Sequence, residues 1–418
     1  MDLRLRSLFS ALTSLTILFF FTLLVACGSS SPSSSATGGT GSNTGSTGSS
    51  NTGSGGSGSG GAATTTAIAF VTDGADGSNQ WGGSSFSGVK LDSTGAASAS
   101  AAATNMNIAI GSLVIPSKNL LFVSTMPNEG NFFTSASAPG ASTINGYSFD
   151  ANGGSLKQIS STPTTSTRFI ASDSKGTTLY ASGNTAPPSQ AGGGPDLVTL
   201  WGWSVNPTSG SLTPLPGSPY VTTYDNGVSE IAVSPDGAWL CASVVVGEAS
   251  PAIACFQRNS DGTLNVKNSI QPISSLQGGE QIAFSADSKW VFAAGGIDDA
   301  IVEGSLTNPT SSQTSTPTGG LYTNGVAVDP SGKWIVASNG SKNLTVFSIG
   351  SDGKLTAGPL ATTPGIPSQL AFSKSGTSLF VATDAGTAVY SFDPSSGALT
   401  PASGSPVSGG GGGPIAAW

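Results

Sequence analysis

The chain has 418 residues, of which only 9% are charged, and 14 Lys and Arg stand against 22 Asp and Glu for a net charge of −8. Its few lysines are never clustered, so there is no basic footprint and nucleic acid is not an expected partner. Histidine is absent altogether, which removes a Ser-His-Asp triad, a histidine general base and every histidine-ligated metal site. No metal or cofactor is expected, and any catalysis must use carboxylates, Lys, Arg, Tyr or backbone donors.

Residues 1–27 read as an export signal. Arg4 and Arg6 form a positive start, residues 8–25 are a long apolar run, and Leu24-Val25-Ala26-Cys27-Gly28 closes it. This resembles the lipobox of bacterial lipoproteins, in which the Cys is acylated and becomes the new N-terminus. The alternative is an uncleaved anchor helix, because the run is nearly long enough to span a bilayer. The resemblance implies an exported protein attached to the cell envelope, at the outer membrane or cell surface, through lipid on Cys27. Residues 28–66 are almost wholly Gly, Ser, Thr, Ala and Asn. Such a chain is a flexible tether with a reach of about 35 Å.

From residue 67 onward one pattern recurs, clearest at 324–356. An apolar run ends in a Pro-Ser-Gly turn, two more apolar runs follow, and Asp352-Gly353 turns into a fourth. The first strand and its turn appear as LVIPSKN from Leu113, IASDSKG from Ile170, IAVSPDG from Ile231, IAFSADS from Ile282, VAVDPSG from Val326 and LAFSKSG from Leu370. The last three spacings are 51, 44 and 44 residues. Alanine sits second in five of the six copies, as expected for innermost strands that crowd together. The third strand carries Tyr147, Trp203, Phe256, Phe347 or Tyr390 at a fixed place. Four strands per unit and a period near 44 define a β-propeller blade.

The two ends complete the count. Residues 67–72 look like a second strand with no first strand before it, and residues 414–418 look like a first strand with nothing after it. Together they close a seventh blade, which removes the last free edge of the ring. The expected fold is therefore all-β: a seven-bladed propeller of four-stranded antiparallel blades over 67–418, sufficient as a monomer. Surplus length lies in the connections 73–85, 125–143 and 183–196, which would wall one side of one channel mouth.

The phrases SPDGAWL, DPSGKWIVAS, FSIGSDGKLT and SFDPSSGALTPASGSP resemble the bacterial seven-bladed propeller lactonases, a family that includes 6-phosphogluconolactonase and cycloisomerase-like enzymes and shades into YVTN-type surface propellers. The resemblance implies a hydrolase ancestry. That family carries an Arg-His pair just before an innermost strand and an acidic residue after a second strand. Here Arg168 occupies the Arg place, Phe169 replaces the His, and Asn184 stands where the acid would be. The His place elsewhere holds Glu230, Gln281, Gly325 and Gln369.

Candidate ligand contacts follow from position. Arg168 either clamps an anionic or carbonyl group or ties two blades through an acid such as Glu230. Glu230 and Glu280, with Gln281, precede or open adjacent first strands, where the two carboxylates serve acid/base chemistry, ligate a hard cation, or merely cap loops and meet solvent. Trp81, Glu129, Phe132 and Phe133 fall in the long connections. Trp239, Trp290 and Trp334 recur at one strand position and are expected to pack between blades. Cys241 and Cys255 should face each other across a hairpin, either as a disulfide or as two buried thiols. Three functions remain open: an anchored propeller that binds a small ligand or partner at one mouth, a lactone hydrolase working without histidine, and a structural or adhesive surface propeller.

Overall fold

The computed structural model describes residues 63–73, 85–103, 108–126, 142–152, 154–165, 167–185, 197–225, 230–246, 250–311, 313–409 and 411–418, and the described elements are all β-strands. Cys27 and the tether up to residue 62 lie outside them, as do Trp81, Glu129, Phe132 and Phe133.

Seven blades are present. Blade 1 consists of Ile108–Ile115, Leu120–Met126, Ser142–Phe149 and Leu156–Thr164. Blade 2 begins Thr167–Ser172, Thr178–Thr185, Leu197–Val205 and Leu212–Pro214. Blade 3 is Ile231–Val233, Trp239–Val246, Ser250–Arg258 and Leu264–Ile273. Blade 4 is Gly279–Phe284, Trp290–Gly295, Ala300–Ser305 and Thr314–Pro317. Blade 5 is Thr323–Val328, Trp334–Asn339, Asn343–Ile349 and Leu355–Thr362, and blade 6 is Pro367–Phe372, Ser378–Thr383, Gly386–Asp393 and Ala398–Pro401. Blade 7 joins the two ends as expected. Its first strand, Gly412–Ala417, pairs antiparallel with Thr65–Asp73, placing Phe70 opposite Ala416, and Phe86–Asp92 and Ala97–Ala103 follow.

Each blade buries both faces against its neighbours. Phe292, Ala294 and Ile301 of blade 4 form one cluster with Val326, Ile335 and Phe347 of blade 5. Burying a side chain of this size contributes about 2–3 kcal/mol. The recurring tryptophans sit at these joints. Gly353, in the last turn of blade 5, has φ +77°, and a Cβ there would lie 2.2 Å from the Trp290 ring of blade 4. The turn therefore needs glycine twice over, for its left-handed backbone and for the ring beneath it. Gly397 of blade 6 rests on Trp334 in the same way, and Trp334 Nε1 donates to Pro394 O at 2.9 Å.

Two blades share a departure that the repeat did not announce. The sequences Leu212-Thr213-Pro214 and Leu399-Thr400-Pro401 are each followed, two residues later, by Gly-Ser-Pro, and both Ser218-Pro219 and Ser405-Pro406 are cis. In each case the fourth strand leaves the ladder, which strands a backbone N–H of the third strand. A serine supplies the missing acceptor: Ser218 Oγ takes Gly202 N at 3.0 Å, and Ser405 Oγ takes Val389 N at 2.9 Å. In blade 2 the chain then re-pairs as Tyr220–Asp225 and touches blade 3 at Asp225 and Val245, so one nine-stranded sheet crosses both blades.

Cys241 and Cys255 are directly opposed on the second and third strands of blade 3 and are joined as a disulfide, with Cα atoms 3.9 Å apart and both residues fully buried.

Candidate ligand site at the channel mouth

The first strands line the central channel, and small residues let seven of them meet. Ala171, Ala232 and Ala371 and, from the closing blade, Ala416 line a cavity of about 310 Å³. Its wall comes from blades 1, 2, 3, 6 and 7, and its polar side chains are Ser112, Ser172 and Glu230. Ser112 and Glu230 mark the level where the cavity begins, and the other lining residues follow them along their strands.

Blades 4 and 5 contribute no residue to that wall, and on their side Gln281 links the first strands. Its Nε2 donates to Leu370 O at 3.2 Å, and its Oε1 accepts from Val326 N at 3.2 Å and Leu370 N at 3.5 Å. One amide thus ties blades 4, 5 and 6. Gly325 makes room for it, since a Cβ there would lie 2.8 Å from Gln281 Oε1 and 2.7 Å from Ser368 O. Gln369 of blade 6 completes the arrangement by donating across the ring to Glu230 Oε2 of blade 3 at 2.9 Å. Asn324 Nδ2 of blade 5 donates to Pro367 O of blade 6 at 2.8 Å.

The sequence candidates are distributed unevenly over this site. Glu230 lines the cavity, and Gln281 joins the first strands of blades 4, 5 and 6 beside it. Glu280 lies on the first strand of blade 4. Arg168 is 4% exposed and does not line the cavity. It sits where the first strand of blade 2 slips register between Thr167 and Ile170, and its backbone oxygen accepts from Ser124 Oγ of blade 1. Gln369 and Asn324 carry cross-blade contacts that sequence reasoning did not single out. Gln369 stood at the same repeat position as Glu230, which was the available signal.

The other arginine of the propeller has a fuller set of partners. Arg258 closes the joint between blades 2 and 3: its guanidinium lies 3.6 Å from Asp173, and it donates to Tyr180 OH at 2.6 Å, Thr178 Oγ1 at 3.0 Å and Gly237 O at 3.2 Å. Burial pushes the Asp173 carboxyl up, but hydrogen bonds from Thr177 and Thr178 outweigh it and hold the group below its ordinary value.

Among the described residues, the mouth offers the Glu230 carboxylate and several amides above an alanine-lined channel. This set can orient a hydroxyl- or amine-bearing ligand by hydrogen bonds. The fold is that of a seven-bladed, four-stranded β-propeller. Its last blades carry a family signature: residues 302–412 match the family described as Lactonase, 7-bladed beta-propeller. No curated protein matches the chain.

Solved structures repeat the architecture. The periplasmic gluconolactonase PpgL of Pseudomonas aeruginosa is 18% identical, with a TM-score of 0.57 over 80% of this chain and 94% of that one. A candidate 6-phosphogluconolactonase of Bacteroides uniformis is 16% identical, with a TM-score of 0.59 over 80% and 94%. A protein of Lactobacillus plantarum is 15% identical, with a TM-score of 0.60 over 84% and 99%. The chain is thus a lactonase-like propeller in fold.

Proposed function

We propose that this chain is an envelope lipoprotein, held to the membrane through Cys27, whose propeller binds a small polar ligand at the Glu230 end of the channel. The observation that carries the reading is the placement of Glu230: it lines the cavity while bridging the ring to Gln369. A ligand donor group can replace the Gln369 amide on that carboxylate without leaving either group buried and unpaired. The test is a thermal-shift and NMR screen of aldonolactones and their hydroxy acids. Binding that disappears in Glu230→Gln, with the melting point retained, supports the reading; equal binding by the variant defeats it. The anchor is tested by acyl labelling in cells, which Cys27→Ser must abolish.

A second reading, lactone hydrolysis, is favoured by the family match over residues 302–412 and by the named functions of similar propellers. Here Glu230 would act as the base that activates water, in place of the absent histidine. Turnover of the same lactones, lost in Glu230→Gln, would select this reading over binding alone. Failure to turn over any member of the panel would reject it.

A further inference from the structure

Glu303 lies at the centre of the third strand of blade 4, in which every residue is buried, and is itself 2% exposed. Strand alternation fixes its direction. A Cβ on Gly304 would lie 2.4 Å from Pro272 O of blade 3, so Glu303 projects from the other face, beside Phe292 and towards blade 5. Thr314 stands directly opposite on the fourth strand and hydrogen-bonds Oε2. Oε1 is buried and has no hydrogen-bond partner among the described residues.

No ionisable side chain offsets a charge there. The strands packed on Ala300–Ser305 are Trp290–Gly295, Thr314–Pro317, Thr323–Val328 and Leu264–Ile273. Their single charged residue is Lys267, which is exposed and belongs to blade 3, on the face away from Glu303. In the turn before the strand, Asp298 and Asp299 are occupied with the backbone N–H groups of Gln277 and Tyr322. A carboxylate at Glu303 would hold a full charge in a buried site that offers threonine hydroxyls and no cation. The neutral acid avoids this: a proton on Oε2 can be given to Thr314 Oγ1, and Oε1 becomes a carbonyl oxygen, far cheaper to bury. Burial raises the group above the ordinary glutamate value of 4.5, despite hydrogen bonds from Thr314 and Thr316.

We propose that Glu303 is a proton-operated latch in the joint between blades 4 and 5: the neutral acid is accommodated there, and loss of its proton leaves a buried charge without a cation, which loosens the third and fourth strands of blade 4 even though Thr314 still bonds it. The direction follows from the sign of the linkage. A carboxyl whose folded value is raised stabilises the fold below its ordinary value, and that stability is lost as pH rises through the folded value. The released element has a defined neighbour. Thr314–Pro317 runs into Thr318, whose hydroxyl donates to Asp299 O at 3.1 Å. From there the chain presents the exposed Leu321 and Tyr322, with Tyr322 at φ +53°, on the link into blade 5. Release therefore acts on the link that leads to Asn324 and the mouth.

The test is amide hydrogen exchange and thermal melting of the full chain, wild type against Glu303→Gln, from acid to mildly alkaline pH. Exchange is corrected for its intrinsic base catalysis. In the wild type, protection over 300–305 and 314–317 should fall by a factor of ten or more as pH rises, and the melting point should drop. Glu303→Gln should lack this fall above the ordinary glutamate value, because its amide cannot titrate, while keeping the acid-side dependence that Asp173 contributes. Parallel wild-type and variant profiles would overturn the latch. If the variant does not fold, infrared difference spectra of wild type labelled at glutamate decide. A carboxylic-acid carbonyl band that persists above the ordinary glutamate value supports the latch, and its absence refutes it.

Discussion

At the first residue of the second strand, blade 4 carries Trp290 and blade 2 carries Thr178. Both positions receive the last turn of the next blade: Gly353 rests on the Trp290 ring, and Gly262 rests on Thr178 and Tyr180. Where the ring is large, apolar contact closes the joint. Where Thr178 leaves the space empty, Arg258 fills it and brings Asp173, Tyr180 and Thr178 into one hydrogen-bonded set. The same backbone geometry thus accepts a dry solution or a charged one. The charged one is complete, since Asp173 has both its donors and its counter-ion. The joint between blades 4 and 5 instead holds Glu303, a buried acid with no cation beside it.

The comparison is broken most severely by removing its cation. Arg258→Ala strands Asp173 in a buried site and should cost about 3–5 kcal/mol, read from urea unfolding. Arg258→Met, which keeps the packing, combined with Asp173→Asn should recover part of that loss. Blade 3 has a second brace close by. Replacing both Cys241 and Cys255 with Ala opens a loop of 14 residues and should cost about 3 kcal/mol; an unchanged denaturation midpoint would show that the bond adds nothing.

On the apolar side, Gly353→Ala forces φ +77° on an alanine and drives its Cβ into the Trp290 ring, for an expected loss of about 2–3 kcal/mol. Gly95→Ala has a similar φ of +81° but nothing within 4 Å, so it should lose only about 1 kcal/mol. The difference between the two substitutions measures the ring contact alone. Equal losses would mean that the tryptophan yields freely.

The smallest effects are the most diagnostic, because the two joints should answer pH in opposite directions. The Asp173 carboxyl is held below its ordinary value of 3.8, so its contribution is present above that value and is lost as pH falls through the folded value. The Glu303 contribution runs the other way and is lost as pH rises. Melting curves of Asp173→Asn should therefore differ in slope from wild type at acid pH, and those of Glu303→Gln at higher pH. Slopes of the same sign in both would remove the contrast.

How far this could be read in advance differs by feature. The ring, its seven blades and the shared closing blade were legible, because a blade repeats its apolar period and turn residues every 44 or so positions and the two ends each lacked what the other held. The packing role of Trp290 and Trp334 was legible for the same reason. The sequence left Cys241 and Cys255 open between a disulfide and two buried thiols, which only the register and approach of their strands settle. The mouth was half legible. Glu230 and Gln281 stood at the repeat position that faces the channel, but the partnership of Glu230 with Gln369 spans 139 residues and two distant blades. No local pattern encodes such a distance.

By itself, then, the sequence determined the architecture, because strand alternation and turn chemistry are local and the repeat multiplies their signal seven times. It also determined the chemistry that is excluded, since a chain without histidine cannot assemble one in space. Only the tertiary structure decided which charges are satisfied. Arg258 and Arg168 look alike in the chain, as do Glu230 and Glu303. Ring closure sets one glutamate across the channel from Gln369 and seals the other between two blades with no cation beside it, and that difference in surroundings is written nowhere in the local sequence.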